Sequence, residues 1–247
     1  EVKDFFFRFY APNNAVLAVT GNISFEEALH LTEKWFGPIP RREVPLRQLP
    51  PEPVQTEERR LVVERNVPLD SLFMAYHMCD RADSDYYAFD ILSDILSNGR
   101  SSRLNQHLVQ EKQLFSSIDA YISGTLDAGL FHISGKPAAG VSLEEAEAAV
   151  REELNELQSA LIQELEKVKN KFESTQIFGN INYLNVATNL AWFELNGRAE
   201  DMEKEVERYR AVTADRLNAV AQTAFREENG VVLYYKSSRG EKDETYI

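Results

Sequence analysis

Four histidines, His30, His77, His107 and His132, are the side chains best suited to hold a metal ion or move a proton. None forms H-E-x-x-H, H-x-x-E-H or any other pair at helical ligand spacing. His30 and His107 fall on predicted helices, His77 and His132 on predicted strands, and each reads as a surface or packed histidine. His77 with the single cysteine, Cys79, gives i and i+2 on a strand, too little for a tetrahedral metal site. There is no nucleophile elbow and no Cys–His signature, and Gly135-Lys136 lacks the upstream glycine of a phosphate loop. Arg103 follows two serines at a predicted helix start. A cation there opposes the helix macrodipole, which calls for a specific partner or an ordinary salt bridge.

The elements that would position these groups centre on Asp90 to Ile118. Ile91, Leu92, Ile95 and Leu96 recur at helical spacing. Asn98-Gly99 ends that helix, because glycine takes the left-handed conformation a C-cap needs. Ser101 or Ser102 is expected to cap a second helix with Leu104 and Leu108 inward. A strand follows, with Leu114, Ser116, Ile118 and Ala120 on one side. Ser117–Ser123 and Gly129–Gly135 are expected to pair antiparallel.

Upstream, Val2 to Tyr10 reads as a helix end, Ala11 to Asn14 as a turn, and Ala15 to Thr20 as a buried strand. Ser24 caps a helix with Glu27 in the capping-box position. Residues 38–56 are proline-rich and read as a linker. Arg60–Arg65 and Leu72–Met78 read as strands. Ser142, with Glu145, caps a long helix, and helical signals continue to about Phe225. Within them, the charges of Glu164–Lys171 suit a solvated face, and Asn180–Trp192 reads as core packing with polar gaps. Thr213 caps the last helix and Val231–Tyr235 is a final strand. The expected division is 1–37, a closing helix–strand–helix; 38–56, the linker; 57–236, one lobe; and 237–247, a polar tail.

Two stretches echo each other without gaps: FYAPNNAVLAV (Phe9 to Val19) and AFREENGVVLY (Ala224 to Tyr234). The echo is either the ordinary likeness of helix–turn–strand junctions or a duplicated architecture. The chain has 247 residues, 43% hydrophobic, enough for one large core or two small ones. A net charge of −13 argues against nucleic acid or an anionic membrane surface as partner. One cysteine allows no internal disulfide and no thiolate cluster. No apolar run approaches the roughly 18 residues of a membrane span. The opening on Glu1, not Met, is expected to mark a piece of a longer protein.

Three segments resemble the insulinase/pitrilysin (inverzincin) family of zinc metallopeptidases. FYAPNNAVLAVTGNISFEEALHLTEKWFGPIP is similar to the family's F-Y-x-P-N-N-A-x-L-x-V-x-G stretch and the helix after it. DILSDILSNGRSSRLNQHLVQEKQLF is similar to L-x-x-I-L-x-x-G-x-S-S-R-L-x-x-x-L-R-E-K-x-x-L, and IDAYISGTLDAGLFHISGKPA to the strand pair that follows. The resemblance implies two similar lobes around a chamber. It also implies an α+β fold for this part: a two-layer lobe of antiparallel-rich sheet with helices on one face, of the metallohydrolase type.

In such enzymes the zinc site, two histidines and a distal glutamate with a second glutamate as base, belongs to the first lobe. The resemblance therefore implies zinc in the parent's first lobe, no zinc and no catalytic residue in this chain, and a substrate-side role. Active relatives use an Arg and a Tyr of the second lobe on the substrate; those positions are Val109 and Ser116 here. Arg103 and Tyr121 are the substrate-binding candidates that could replace them. The expected partners are a catalytic first lobe, in the same polypeptide or a partner subunit, and a peptide substrate, with a homodimer also open. The expected setting is soluble, in a bacterial cytoplasm or periplasm. A catalytically inactive structural or assembly subunit is the alternative.

Overall fold

The computed structural model describes residues 1–45, 49–50, 52–157 and 162–238. In chain order its regular elements are α1 (Val2–Phe9), α2 (Phe25–Phe36), β1 (Arg59–Arg65), β2 (Ser71–His77) and α3 (Tyr86–Ser97). Then come a π-helix (Leu104–Glu111), β3 (Phe115–Ile122), β4 (Leu130–Pro137), α4 (Leu143–Glu156) and α5 (Ile162–Gly179). The chain closes with α6 (Tyr183–Asn196), α7 (Glu205–Ala211), α8 (Ala214–Ala224) and β5 (Gly230–Ser237). They form two compact units, Glu1–Pro53 with Phe172–Val206, and Val54–Lys171 with Glu207–Ile247. Beyond Ser238 the expected tail lies outside the described residues, as do parts of the expected linker.

The second unit is built on a five-stranded sheet in the order β1-β5-β2-β4-β3. β5 pairs antiparallel with β2, β2 with β4 and β4 with β3, while β1 runs parallel to β5. Alternation along the strands sends Leu72, Met74 and Tyr76, Phe131 and Ile133, and Val232 and Tyr234 to one buried side. There α3, buried through Ile91, Leu92, Ile95 and Leu96, meets the sheet as its periodicity predicts. α4 adds Leu143, Ala146, Val150 and Leu154. The fold is thus α+β, with the helical layer on one face of an antiparallel-rich sheet. Ser142 and Thr213 cap α4 and α8 as expected, each accepting from the backbone N–H three residues on.

An ion network around the buried Glu147 ties α4 to the sheet. Arg60 of β1 donates through Nη1 and Nη2 to the Glu147 carboxylate at 2.9 and 2.6 Å. Arg151, one turn further along α4, donates to Glu147 at 2.8 Å and also to Glu58. The Tyr234 hydroxyl donates to the same carboxylate. Burial alone would raise the Glu147 carboxyl, but the bonds from Arg60, Tyr234 and Arg151 outweigh it and hold it down at about 2.

Four local expectations are corrected. The stretch after Ser102 is a π-helix that neither serine caps; the buried Ser102 hydroxyl instead donates back to the Gly99 carbonyl at 2.7 Å. Gly99 itself has φ +102°, as its helix-stopping role requires. β3 buries Phe115, Ile118 and Ala120, and leaves Ser116 exposed. A bulge between Phe115 and Ser117 adds one residue, which shifts the alternation expected for Ser116. Phe115 then lies over Gly135 of β4, where a Cβ would stand 2.6 Å from its ring.

The third correction concerns Ala15 to Thr20. It is extended, with Ala15 at φ −136° and ψ 147°, but no described strand pairs with it, so it joins no sheet. Likewise Asn180–Trp192, expected as core, places Ile181, Tyr183 and Leu184 at the surface. In the first unit α1, α2 and α6 bury no residue. Among the described residues no helix is long and apolar enough to cross a membrane.

Candidate functional site

The sheet has one face under helices and one open face, and the sequence-predicted residues divide between them. Arg103 ends the turn that follows α3. Its Nε and Nη2 donate to the two oxygens of Glu164 on α5, at 2.7 and 2.6 Å. Two cations of α5 hold the same turn: Lys167 donates to the Ser101 carbonyl at 3.0 Å and Lys171 to the Asn98 carbonyl at 3.3 Å. The bidentate bond to Glu164 raises the pKa of the Arg103 guanidinium. With only 7% of its surface exposed, Arg103 is spent on α5, and its conflict with the helix dipole is resolved by an internal carboxylate.

Tyr121 lies on the other side. It is half exposed, points from edge strand β3 to the open face and stacks on His132 of β4, with ring centroids 4.9 Å apart and planes 18° apart. Burial lowers the pKa of His132, which keeps its ring neutral near pH 7. The neighbouring strands add Phe73 and Tyr235 in an edge-to-face pair at 6.5 Å. The structure therefore does not bring Arg103 and Tyr121 together: the first belongs to the helical layer, the second to the open face.

The two positions that the resemblance marks hold no cation and no phenol. Val109 sits half-buried in the π-helix, and the Ser116 hydroxyl, at the bulge, donates to the Lys136 carbonyl at 3.1 Å. His107 is engaged through Nδ1 with the buried Glu153 at 2.7 Å. Burial, with Asp83, Asp85 and Asp80 nearby, pushes the Cys79 thiol up to about 12, so it is a poor nucleophile. Among the described residues no three His, Cys, Asp or Glu side chains converge to hold a metal ion.

Two features escaped the reading of the sequence. The Glu147 network was signalled by the i, i+4 pair Glu147–Arg151, but its partners on β1 and β5 are distant in sequence. The open face was signalled by alternation in R-R-L-V-V-E-R, but only the register shows that Arg59, Leu61 and Val63 share a side with Leu233 and Phe73.

Residues 1–172 match the family model described as the peptidase M16 inactive domain. The chain is 24% identical over 239 residues to the uncharacterized zinc protease YmxG of Bacillus subtilis, covering 94% of this chain and 56% of that protein. It is 28% identical over 134 residues to the zinc protease PqqE of Helicobacter pylori, covering 53% of this chain and 30% of that protein. The crystal structure of a protease from Helicobacter pylori superposes with a TM-score of 0.88 at 23% identity, over 95% of this chain and 58% of that one. A peptidase M16 inactive domain from Pseudomonas fluorescens superposes with a TM-score of 0.74 at 18% identity, over 90% and 53%. The chain thus spans little more than half of YmxG and under a third of PqqE. Its sheet, its one-sided helical layer and a match over residues 1–172 place it together with these proteins: the chain belongs to the peptidase M16 inactive-domain family.

Proposed function

We propose that this chain is the substrate-side, non-catalytic lobe of a zinc-dependent metalloendopeptidase. A first lobe, in the same polypeptide or a partner subunit, would hold the zinc and the attacking water and carry the hydrolysis of the peptide bond. This chain would close the chamber and bind peptide, through main-chain bonds at the edge strand β3 and through the chamber wall. Residues 1–37 would complete the first lobe and residues 57–236 would form the second.

One observation carries the reading. In both echoing segments the asparagine that ends the turn donates to the carbonyl five residues back: Asn14 to Phe9 and Asn229 to Ala224, each at 2.8 Å. Both turns are single 3-10 turns, Pro12–Asn14 and Glu227–Asn229. The stretch that follows Asn229 is a sheet strand; the one that follows Asn14 has the same entry, and no described strand pairs with it. A second sheet, supplied by a first lobe, is what the second unit's architecture would provide for Ala15–Thr20.

The loss of the family's Arg and Tyr at Val109 and Ser116 favours a second reading, an inactive structural or assembly subunit. Zinc content and peptide cleavage, measured on this chain alone and on the parent with its first lobe, separate the two. The expected result is zinc and cleavage in the parent only. Stoichiometric zinc and cleavage in this chain alone would overturn the proposal, and a zinc-free, inactive parent would establish the structural subunit.

A further inference from the structure

We propose that the open face of the sheet is a docking surface for an extended peptide with apolar or aromatic residues in its middle and acidic residues at its ends. The inference rests on the reading of this chain as a peptide-binding lobe and names the class of peptide.

The register defines the surface. One row of facing residues crosses all five strands: Arg59, Val231, Ala75, His132 and Tyr121. The next row begins Leu61, Leu233 and Phe73. Leu61, Phe73 and Tyr121 are exposed, and Val231, Ala75 and His132 are half-buried. Five strands about 4.8 Å apart make a floor about 20 Å wide, the length of roughly six extended residues. Small side chains lie at its middle and the stacked Tyr121–His132 pair at one end, which is a trough for aromatic or aliphatic groups.

Charge sets the rest of the chemistry. In a chain of net charge −13, this face carries Arg59, Arg65 and Lys136. Among the described residues none of the three has a carboxylate partner: Arg65 donates only to the Glu64 carbonyl, and no bond from the Arg59 or Lys136 side chain is formed. By contrast, Arg60, Arg103 and Arg151, on the helical side, are all paired with glutamates. The one carboxylate among the strand positions of the open face, Asp119, accepts from Ser97 at 3.3 Å. Unspent cations beside an apolar floor are complementary to acidic residues flanking apolar ones. His132, held neutral by burial, adds aromatic surface and no competing charge.

The test is fluorescence anisotropy with three fluorescein-labelled octapeptides on the whole chain: a central run of Phe flanked at both ends by paired Glu (Phe/Glu), the same run flanked by paired Lys (Phe/Lys), and a central run of Ser flanked by paired Glu (Ser/Glu), so that each charged pair turns one side chain to the floor. The Phe/Glu peptide is expected to bind about tenfold or more tighter than either of the others, a difference of about 1.4 kcal/mol. Its affinity should fall as salt rises. Arg59→Glu with Lys136→Glu should reverse the preference between Phe/Glu and Phe/Lys, and Arg59→Gln should reduce it; Tyr121→Ala should weaken both phenylalanine peptides. Equal binding of Phe/Glu and Phe/Lys, or a preference that survives the charge reversal, overturns the proposal. So does light scattering that shows a second copy of the chain occupying the face and excluding peptide. A parent that cleaves peptides at rates indifferent to these substitutions overturns this inference and leaves the lobe assignment standing. Selective Phe/Glu binding beside a zinc-free, inactive parent does the reverse.

Discussion

Phe9–Thr20 and Ala224–Ser237 are built alike up to the turn and differ after it. In the second segment Asn229 makes one bond more, to the His77 carbonyl on β2, and the chain enters a sheet between β1 and β2. There Val232 is 2% exposed and Tyr234 7%. In the first, the matching residues Leu17 and Val19 are 54% and 50% exposed. The local code is the same: an aromatic or alanine at a helix end, a short 3-10 turn, an asparagine that satisfies a terminal carbonyl, then β-branched and aliphatic residues. What differs is the supply of neighbours. An apolar strand gains its stability from ladder bonds and from a face to pack on, and neither is local.

The largest test of that comparison is energetic. Leu92 is fully buried in α3, and Leu92→Ala should cost the second unit about 3 kcal/mol or more through lost burial and the cavity left behind. Leu17→Ala should cost less than about 0.5 kcal/mol in this chain, as an exposed substitution does. In the presence of the first lobe the second figure should rise toward the first. Denaturant unfolding of both variants decides it, and a Leu17→Ala cost equal to that of Leu92→Ala in the isolated chain would break the comparison.

The next effect is electrostatic and belongs to the second unit alone. Glu147→Gln removes the buried carboxylate shared by Arg60, Arg151 and Tyr234; both arginines keep Glu58 and Arg60 is half exposed, so the cost should be about 2 kcal/mol. The pH dependence has a definite sign. The Glu147 carboxyl titrates at about 2 in the folded chain against an ordinary value of 4.5, so the folded state binds the proton more weakly than the unfolded one. Its contribution, at most about 3 kcal/mol and reduced by solvent screening at the half-exposed Arg60, is complete above the ordinary value and is lost as pH falls from 4.5 toward 2. Urea midpoints measured from pH 7 down to pH 3 should fall, and the Glu147→Gln variant should flatten that fall. A midpoint that drops equally in both proteins would place the acid-labile group elsewhere.

What could be read in the sequence follows the same division between local and distant causes. The Ser24–Glu27, Ser142–Glu145 and Thr213 caps, the face of α3 and the stop at Gly99 are set within about four residues, and they stand as read. The pairing of β3 with β4 was also legible, since a glycine-containing turn joins them. The bulge at Ser116 was not, because a single extra residue leaves the hydrophobic alternation plausible in either register. Nor was the π-helix: Leu104 and Leu108 fit an inward helical face either way, and its width shows in bonds such as that from Lys112 back five residues to the His107 carbonyl. Arg103 was singled out correctly as a residue that needs a partner. The partner, Glu164, lies 61 residues on and could not be chosen from among so many acids. Ala15–Thr20 was misread as buried because apolar composition signals a strand but not its neighbours, and among the described residues no strand pairs with it.

The smallest effect sharpens the comparison most, because it holds the local chemistry constant. Ser24 and Ser142 are the same cap: each has φ near −75°, and each hydroxyl accepts at 3.1 Å from the backbone N–H of a glutamate three residues on. Replacing either by alanine should remove about 1 kcal/mol from its own helix. In Ser142→Ala that loss falls on α4, whose Leu143, Ala146 and Val150 are buried and whose Glu147 anchors the sheet. The main unfolding transition of the second unit should therefore move to lower denaturant. In Ser24→Ala the loss falls on α2, which buries no residue, so the main transition should stay where it is. The effect should appear instead as faster amide exchange at Glu26 to Leu29. If Ser24→Ala shifts the main transition as far as Ser142→Ala does, α2 unfolds together with the sheet and the two units are energetically one. If it changes only local exchange, the first unit's helices are waiting for the apolar partner that their exposed faces and the unpaired Ala15–Thr20 segment both call for.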